Sequence, residues 1–134
     1  MLNLIIGLKG SGKTKNLIKQ LNEALEKTNG NVVCVEQGEK LRYDVKYTAR
    51  LINTDEYAIK DAKALYGLIA GIVASNSDVT DIFVDGVLRI CESKEAFEST
   101  LPMFDKLAKN NNVNLTMTCS VSAQDPGEVI KQYI

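Results

Sequence analysis

The sequence predicts an α/β fold with helices on both faces of a mostly parallel sheet of about four to five strands. Three observations carry this. Short apolar runs alternate with amphipathic stretches of helical period along the whole chain, the pattern that builds βαβ units. A glycine-rich octapeptide, Gly7-Leu8-Lys9-Gly10-Ser11-Gly12-Lys13-Thr14, joins the first such run to the first helix. Neither a linker nor a repeat nor a low-complexity segment interrupts the 134 residues, so residues 1–134 are expected to form one domain.

Leu2, Leu4, Ile5 and Ile6 predict a buried first strand. A helix is expected over residues 13–28, with Leu17, Leu21, Ala24 and Leu25 on one face and Lys15, Lys19, Glu23 and Glu26 mostly outside it. Asn29-Gly30 is expected to stop it, glycine taking a left-handed cap without penalty. Val32-Val33-Cys34-Val35 gives a second strand that runs into Glu36-Gln37-Gly38-Glu39. Residues 40–54 are ambiguous between an ordered loop and a short strand over 47–52. From about Asp55 the spacing of Ala58, Ala62, Leu65, Ile69 and Ile72 predicts a helix. Gly67 and Gly71 lower its propensity and fit close packing on a sheet.

Asp81-Ile82-Phe83-Val84 forms the third strand and ends in Asp85-Gly86. Two readings of this end stand open: a carboxylate held at a strand terminus, or a two-residue hairpin turn with Val87, Leu88 and Ile90 as the return strand. Ser93 is a candidate N-cap for a helix with Phe97, Leu101, Phe104 and Ala108 on its apolar face, and Pro102 is expected to break that helix or to start a second one there. A fourth strand spans 113–119. Asp125-Pro126-Gly127 should cap a short terminal helix that ends at Ile134.

The octapeptide satisfies G-x-x-x-x-G-K-[ST], a pattern that average residue usage yields by chance in under about 1% of chains this long. Gly7, Gly10 and Gly12 let successive N–H groups converge on phosphate oxygens; Leu8 and Ser11 belong to the same loop, and Lys9 is either an extra electrostatic contact or a solvated loop residue. The helix that follows adds unpaired amides and the positive end of its dipole. Lys13 can reach the β and γ phosphates, and the Thr14 hydroxyl can ligate Mg²⁺. At the end of the Ile-Phe-Val strand, Asp85 is the candidate second metal ligand, since ligands of open α/β sheets sit at the carboxyl ends of strands.

On these residues the chain resembles P-loop nucleoside triphosphatases, and Ile82-Phe83-Val84-Asp85 resembles their Walker B strand. Gly86 stands where many ATPases carry a catalytic glutamate. The layout over residues 1–122 resembles the RecA-like branch, and that resemblance implies several things. The four strands, numbered as read, should lie in the order 2-3-4-1. Glu36, beyond the second strand, should be the base that activates water, with Glu39 close by. Ser120 or Ser122 should act as the polar sensor at the end of the fourth strand, whereas Thr116 and Thr118 read as ordinary strand residues. The deviant loop of MinD-like ATPases is excluded, because Leu8 stands where their lysine belongs.

The function expected is Mg²⁺-dependent binding of ATP with slow hydrolysis, Lys13 and Glu36 being the catalytic residues. Alternatives are a nucleotide-dependent binding module and a small nucleoside or nucleotide kinase, although the chain shows neither an arginine-rich lid nor a zinc ribbon. No N-K-x-D guanine motif is present, which favours adenine. Arg42, Arg50 and Arg89 are the only arginines, and none lies in a recognisable finger motif. A homo-oligomer or protein partner could supply one.

With 16 basic and 17 acidic residues interleaved, the net charge of −1 argues against a nonspecific nucleic-acid surface. The three cysteines are widely spaced and histidine is absent, which argues against structural zinc and fits a reducing cytoplasm. The longest apolar stretch, residues 64–74, is too short to span a bilayer.

Overall fold

The computed structural model describes all 134 residues, Met1–Ile134. The elements in order are β1 (Leu2–Ile6), α1 (Lys13–Lys27), β2 (Asn31–Glu36), β3 (Arg50–Asn53) and a 3₁₀ turn (Thr54–Tyr57). They are followed by α2 (Ala62–Ser75), β4 (Val79–Asp85), α3 (Val87–Cys91), α4 (Lys94–Asn110), β5 (Asn114–Cys119) and α5 (Glu128–Lys131). The five strands form one sheet in the order β1-β5-β4-β2-β3, and every neighbouring pair is parallel. The four strands read from sequence thus lie as expected, the fourth between the first and third. The ambiguous segment adds β3 outside β2, beginning three residues later than the strand considered there.

Helices cover both faces. Leu17 and Leu21 of α1 pack with Val32, Cys34 and Phe83 on one face, where Leu41, Val45 and Ala49 from the β2–β3 connection complete the cover. Helices α2, α3, α4 and α5 lie over the other face, above Leu4, Val33, Val35, Ile82, Val84, Leu115 and Met117. Period-2 alternation distributes the strand side chains between these two layers. The terminal segment returns to β1, where the Leu4 N–H donates to the Tyr133 carbonyl at 2.7 Å.

Four local expectations are corrected. The helix expected from Asp55 starts at Ala62. Asn53 caps only a single 3₁₀ turn, Ala58 then turns left-handed at φ 55°, and the Asp61 carboxylate accepts from the Ala64 N–H at 2.8 Å to start α2. Pro102 does not break α4, which runs from Lys94 to Asn110. Its missing N–H removes one bond, but Phe97 and Leu101 before it and Phe104 and Ala108 after it are anchored in one core. The hairpin reading of Asp85-Gly86 is overturned, because Val87–Cys91 is a helical turn with Val87, Ile90 and Cys91 buried. Gly30 is not a left-handed cap. Thr28 ends α1 in an extended conformation, and a Cβ on Gly30 would strike the Asp78 backbone.

Two sequence-expected caps differ in outcome. Ser93 caps α4 by accepting from the Ala96 N–H at 3.1 Å. At the C-terminus Gly127, not Asp125, occupies the N-cap of α5, which ends at Lys131, three residues short of the expected Ile134.

Candidate functional site

The carboxyl ends of β1, β4 and β5 and the start of α1 enclose a cavity of about 340 Å³ with no apolar residue in its lining. Its floor is Asp85, the last residue of β4. Because Asp85 follows Phe83 on the same side of the sheet, its side chain lies on the α1 face, where burial would be costly without partners. Three neighbours supply them. The Thr14 hydroxyl, in the first turn of α1, donates to Oδ1 at 3.1 Å and lies 3.4 Å from Oδ2. Thr118 in β5 donates to Oδ1 at 2.8 Å and accepts from the Gly86 N–H at 2.7 Å. The Arg89 guanidinium lies 3.6 Å from Oδ2.

Two glycines shape this edge. Gly12, at φ 91°, takes the left-handed conformation at the N-cap of α1, whose first-turn amides have no intrahelical acceptor. Gly86, at φ 76°, starts α3, and a Cβ there would strike the Arg89 guanidinium. The absence of a side chain therefore lets Arg89 fold back over the end of β4.

Within the octapeptide, Lys9, Gly10, Gly12, Lys13 and Thr14 line the cavity, whereas Gly7, Leu8 and Ser11 do not. Gly7 is buried beneath the loop. The Leu8 carbonyl accepts from the Ser11 N–H at 3.1 Å and from Lys13 Nζ at 3.1 Å, so the lysine lies curled over its own loop. Lys9, Lys13, Lys15 and Arg89 oppose a single carboxylate, Asp85, so the cavity carries a net positive lining.

Glu36 is not brought into that lining. It sits beside Asp85 in register on the neighbouring strand, 2% exposed, with Oε1 accepting from the Lys40 N–H at 3.0 Å and Oε2 from the Leu41 N–H at 3.1 Å. Burial pushes its carboxyl above the ordinary glutamate value, although the two N–H donors pull the other way. Its visible task is to anchor the start of the β2–β3 connection. Glu39 pairs with Arg42 at the surface at 3.5 Å. Ser120 lines the cavity and Ser122 does not.

Thr118 and Arg89 are the functional candidates that the sequence reading passed over. Thr118 had a signal, a hydroxyl on the strand flanking the Asp85 strand. Arg89 had the i, i+4 spacing from Asp85, but a return strand in place of α3 would have carried it elsewhere.

Asp85 and Thr14 are the residues able to hold a metal ion. No group of three or more ligating Cys, Asp or Glu side chains exists, so an all-protein cage is absent. Two oxygen donors a hydrogen-bond length apart could contribute to the shell of a hard cation that keeps most of its waters, such as Mg²⁺. The cysteines take no part: Cys34, Cys91 and Cys119 are buried and free, and burial raises all three thiols, Cys91 to about 12 and Cys119 to about 11. No helix is long and apolar enough to cross a membrane. In comparisons with known proteins, no family model and no curated protein matches the chain.

Proposed function

We propose that this chain is a minimal RecA-like P-loop domain that binds a nucleoside triphosphate, ATP by the sequence argument, with Mg²⁺ and hydrolyses it slowly. The observation that carries the reading is the Thr14–Asp85 hydrogen bond, which joins the octapeptide to the end of β4 beside a cavity rich in cations. The position of β5 between β1 and β4 supports the RecA-like branch over the kinase alternative, which calls for the Asp85 strand directly beside β1.

Each residue has a task in this reading. The amides of Gly10, Gly12 and Lys13 and the Lys13 ammonium bind and orient the phosphates. Thr14 and Asp85 would hold the metal, which would supply positive charge beside the phosphates. Thr118 donates to the same Asp85 oxygen as Thr14 and so fixes the carboxylate. Glu36 is the candidate base, and to act it must exchange a backbone N–H for a water beside the γ phosphate. That same engagement of Glu36 with Lys40 and Leu41 favours a second reading, a nucleotide-dependent binding module in which occupancy of the cavity controls docking to a partner.

Calorimetric titration with ATP and Mg²⁺ tests binding. Lys13→Ala should weaken affinity about tenfold to more than a hundredfold, while Lys9→Ala should change it little. Equal losses would place Lys9 among the phosphate ligands, and an unmutated protein that binds no nucleotide would end the proposal. Phosphate release measured on the same samples separates the two readings, absent turnover favouring the binding module.

A further inference from the structure

Asp85 carries two oxygens in unequal surroundings. Oδ1 accepts short hydrogen bonds from Thr118 and Thr14, at 2.8 and 3.1 Å. Oδ2 has only the longer Thr14 approach at 3.4 Å and the Arg89 guanidinium at 3.6 Å. The carboxylate is almost fully buried, while the arginine is half exposed and lies within the cavity wall. Two structural details hold it there: the single turn of α3 sets the i, i+4 spacing, and Gly86 leaves the space through which the guanidinium folds.

We infer that Arg89 is the resident counter-ion of Asp85 Oδ2, and that a divalent cation must displace it to occupy the same oxygen. The inference rests on the nucleotide reading above and deepens it, because it makes the metal requirement of the site a competition within the chain. A buried carboxylate beside no cation is costly, and the Arg89 guanidinium 3.6 Å away offsets that cost. A metal ion arriving with the phosphates takes over that neutralisation. The freed guanidinium then lies at the mouth of a cavity holding a polyanion, where a planar donor fork is well suited to phosphate oxygens.

Two measurements on the intact chain test the exchange. In the first, the Mg²⁺ concentration giving half-maximal ATP binding is compared for the unmutated protein, Arg89→Ala and Arg89→Lys. Release of an ion pair half open to solvent should lower that concentration about two- to fivefold in Arg89→Ala, with Arg89→Lys between the two. In the second, free Mn²⁺ is followed by electron paramagnetic resonance with no nucleotide present, and Arg89→Ala should bind Mn²⁺ more tightly by a similar factor.

An unchanged or increased cation requirement in both measurements would overturn the inference. So would ATP binding weakened equally with and without Mg²⁺, which would make Arg89 a simple phosphate ligand. If the unmutated protein binds no ATP but Mn²⁺ still binds more tightly to Arg89→Ala, the nucleotide reading fails and the competition stands. Circular dichroism confirms that the variants fold, which the surface position of Arg89 leads one to expect.

Discussion

The two faces of the sheet are built differently from the same five strands. Beneath α2, α3 and α4 lies a cluster of 24 buried apolar residues, while the α1 face has eight, three of them from the β2–β3 connection. Along β5 the contrast is residue by residue: Leu115, Met117 and Cys119 serve the thick face, Thr116 and Thr118 the thin one. β4 and β2 end the same way, Val84 and Val35 facing the thick side, Asp85 and Glu36 the thin side. A parallel sheet covered on both faces ordinarily reads as apolar on both. Here the thick face supplies the hydrophobic burial, and the thin face can give its carboxyl edge to polar groups that partner one another.

The largest effect should come from breaking the thick face. Phe97 is fully buried in α4, and Phe97→Ala should cost about 3–5 kcal/mol, read as a shift in the urea midpoint. Leu21→Ala on the thin face should cost less, toward the low end of about 2–5 kcal/mol, because a smaller cluster at the edge of the molecule can close around the lost volume. A Leu21 variant less stable than the Phe97 variant would contradict the division of labour between the faces.

The same contrast explains what was legible in the sequence. Strands β1, β2, β4 and β5 and helix α1 announced themselves because apolar period and burial coincide in them. The octapeptide and Asp85 were legible because each residue type answers a local chemical demand. Tertiary competition hid the remainder. Pro102 looked like a breaker, yet anchors on both sides of it hold one helix together. Asp55 looked like a helix start, but Asp61 caps better once Ala58 has turned left-handed. Thr118 looked like an ordinary strand residue, since only the strand order and the shared α1 face bring its hydroxyl to Asp85. Glu36 looked to lie just beyond the second strand, whereas it is the last residue of β2 in register with Asp85, and the backbone donors that occupy it come from a segment with no periodic signal.

A middle-sized effect should follow from making the thin face resemble the thick one at its carboxyl edge. Thr118→Val keeps the shape but removes a donor from Asp85 and an acceptor from the Gly86 N–H. The cost should be about 1–3 kcal/mol in the urea midpoint, because the groups left behind are poorly solvated. Thr118→Ser retains the hydroxyl and should recover most of it. If valine is tolerated as well as serine, the polar edge is not held together by these bonds.

The smallest effect, and the one with a sign of its own, concerns Glu36. Replacing it with glutamine leaves one acceptor oxygen for two backbone N–H groups, so one of Lys40 and Leu41 loses its partner, at a cost of about 1 kcal/mol. Burial opposes this by penalising the charged carboxylate, which is why its carboxyl titrates above the ordinary value. A raised value in the folded state means that the native protein keeps this proton after the unfolded chain has lost it. The stabilisation that Glu36 contributes is therefore full below the unfolded value and declines as pH rises through the folded one. Glutamine has no proton to lose. The stability advantage of the unmutated protein over Glu36→Gln should accordingly be greatest in acid and shrink toward neutrality, as urea midpoints measured on both proteins from pH 4 to pH 8 would show. An advantage that grows with pH would mean that the two N–H donors outweigh burial, and that Glu36 sits in the polar edge as a fully stabilised anion.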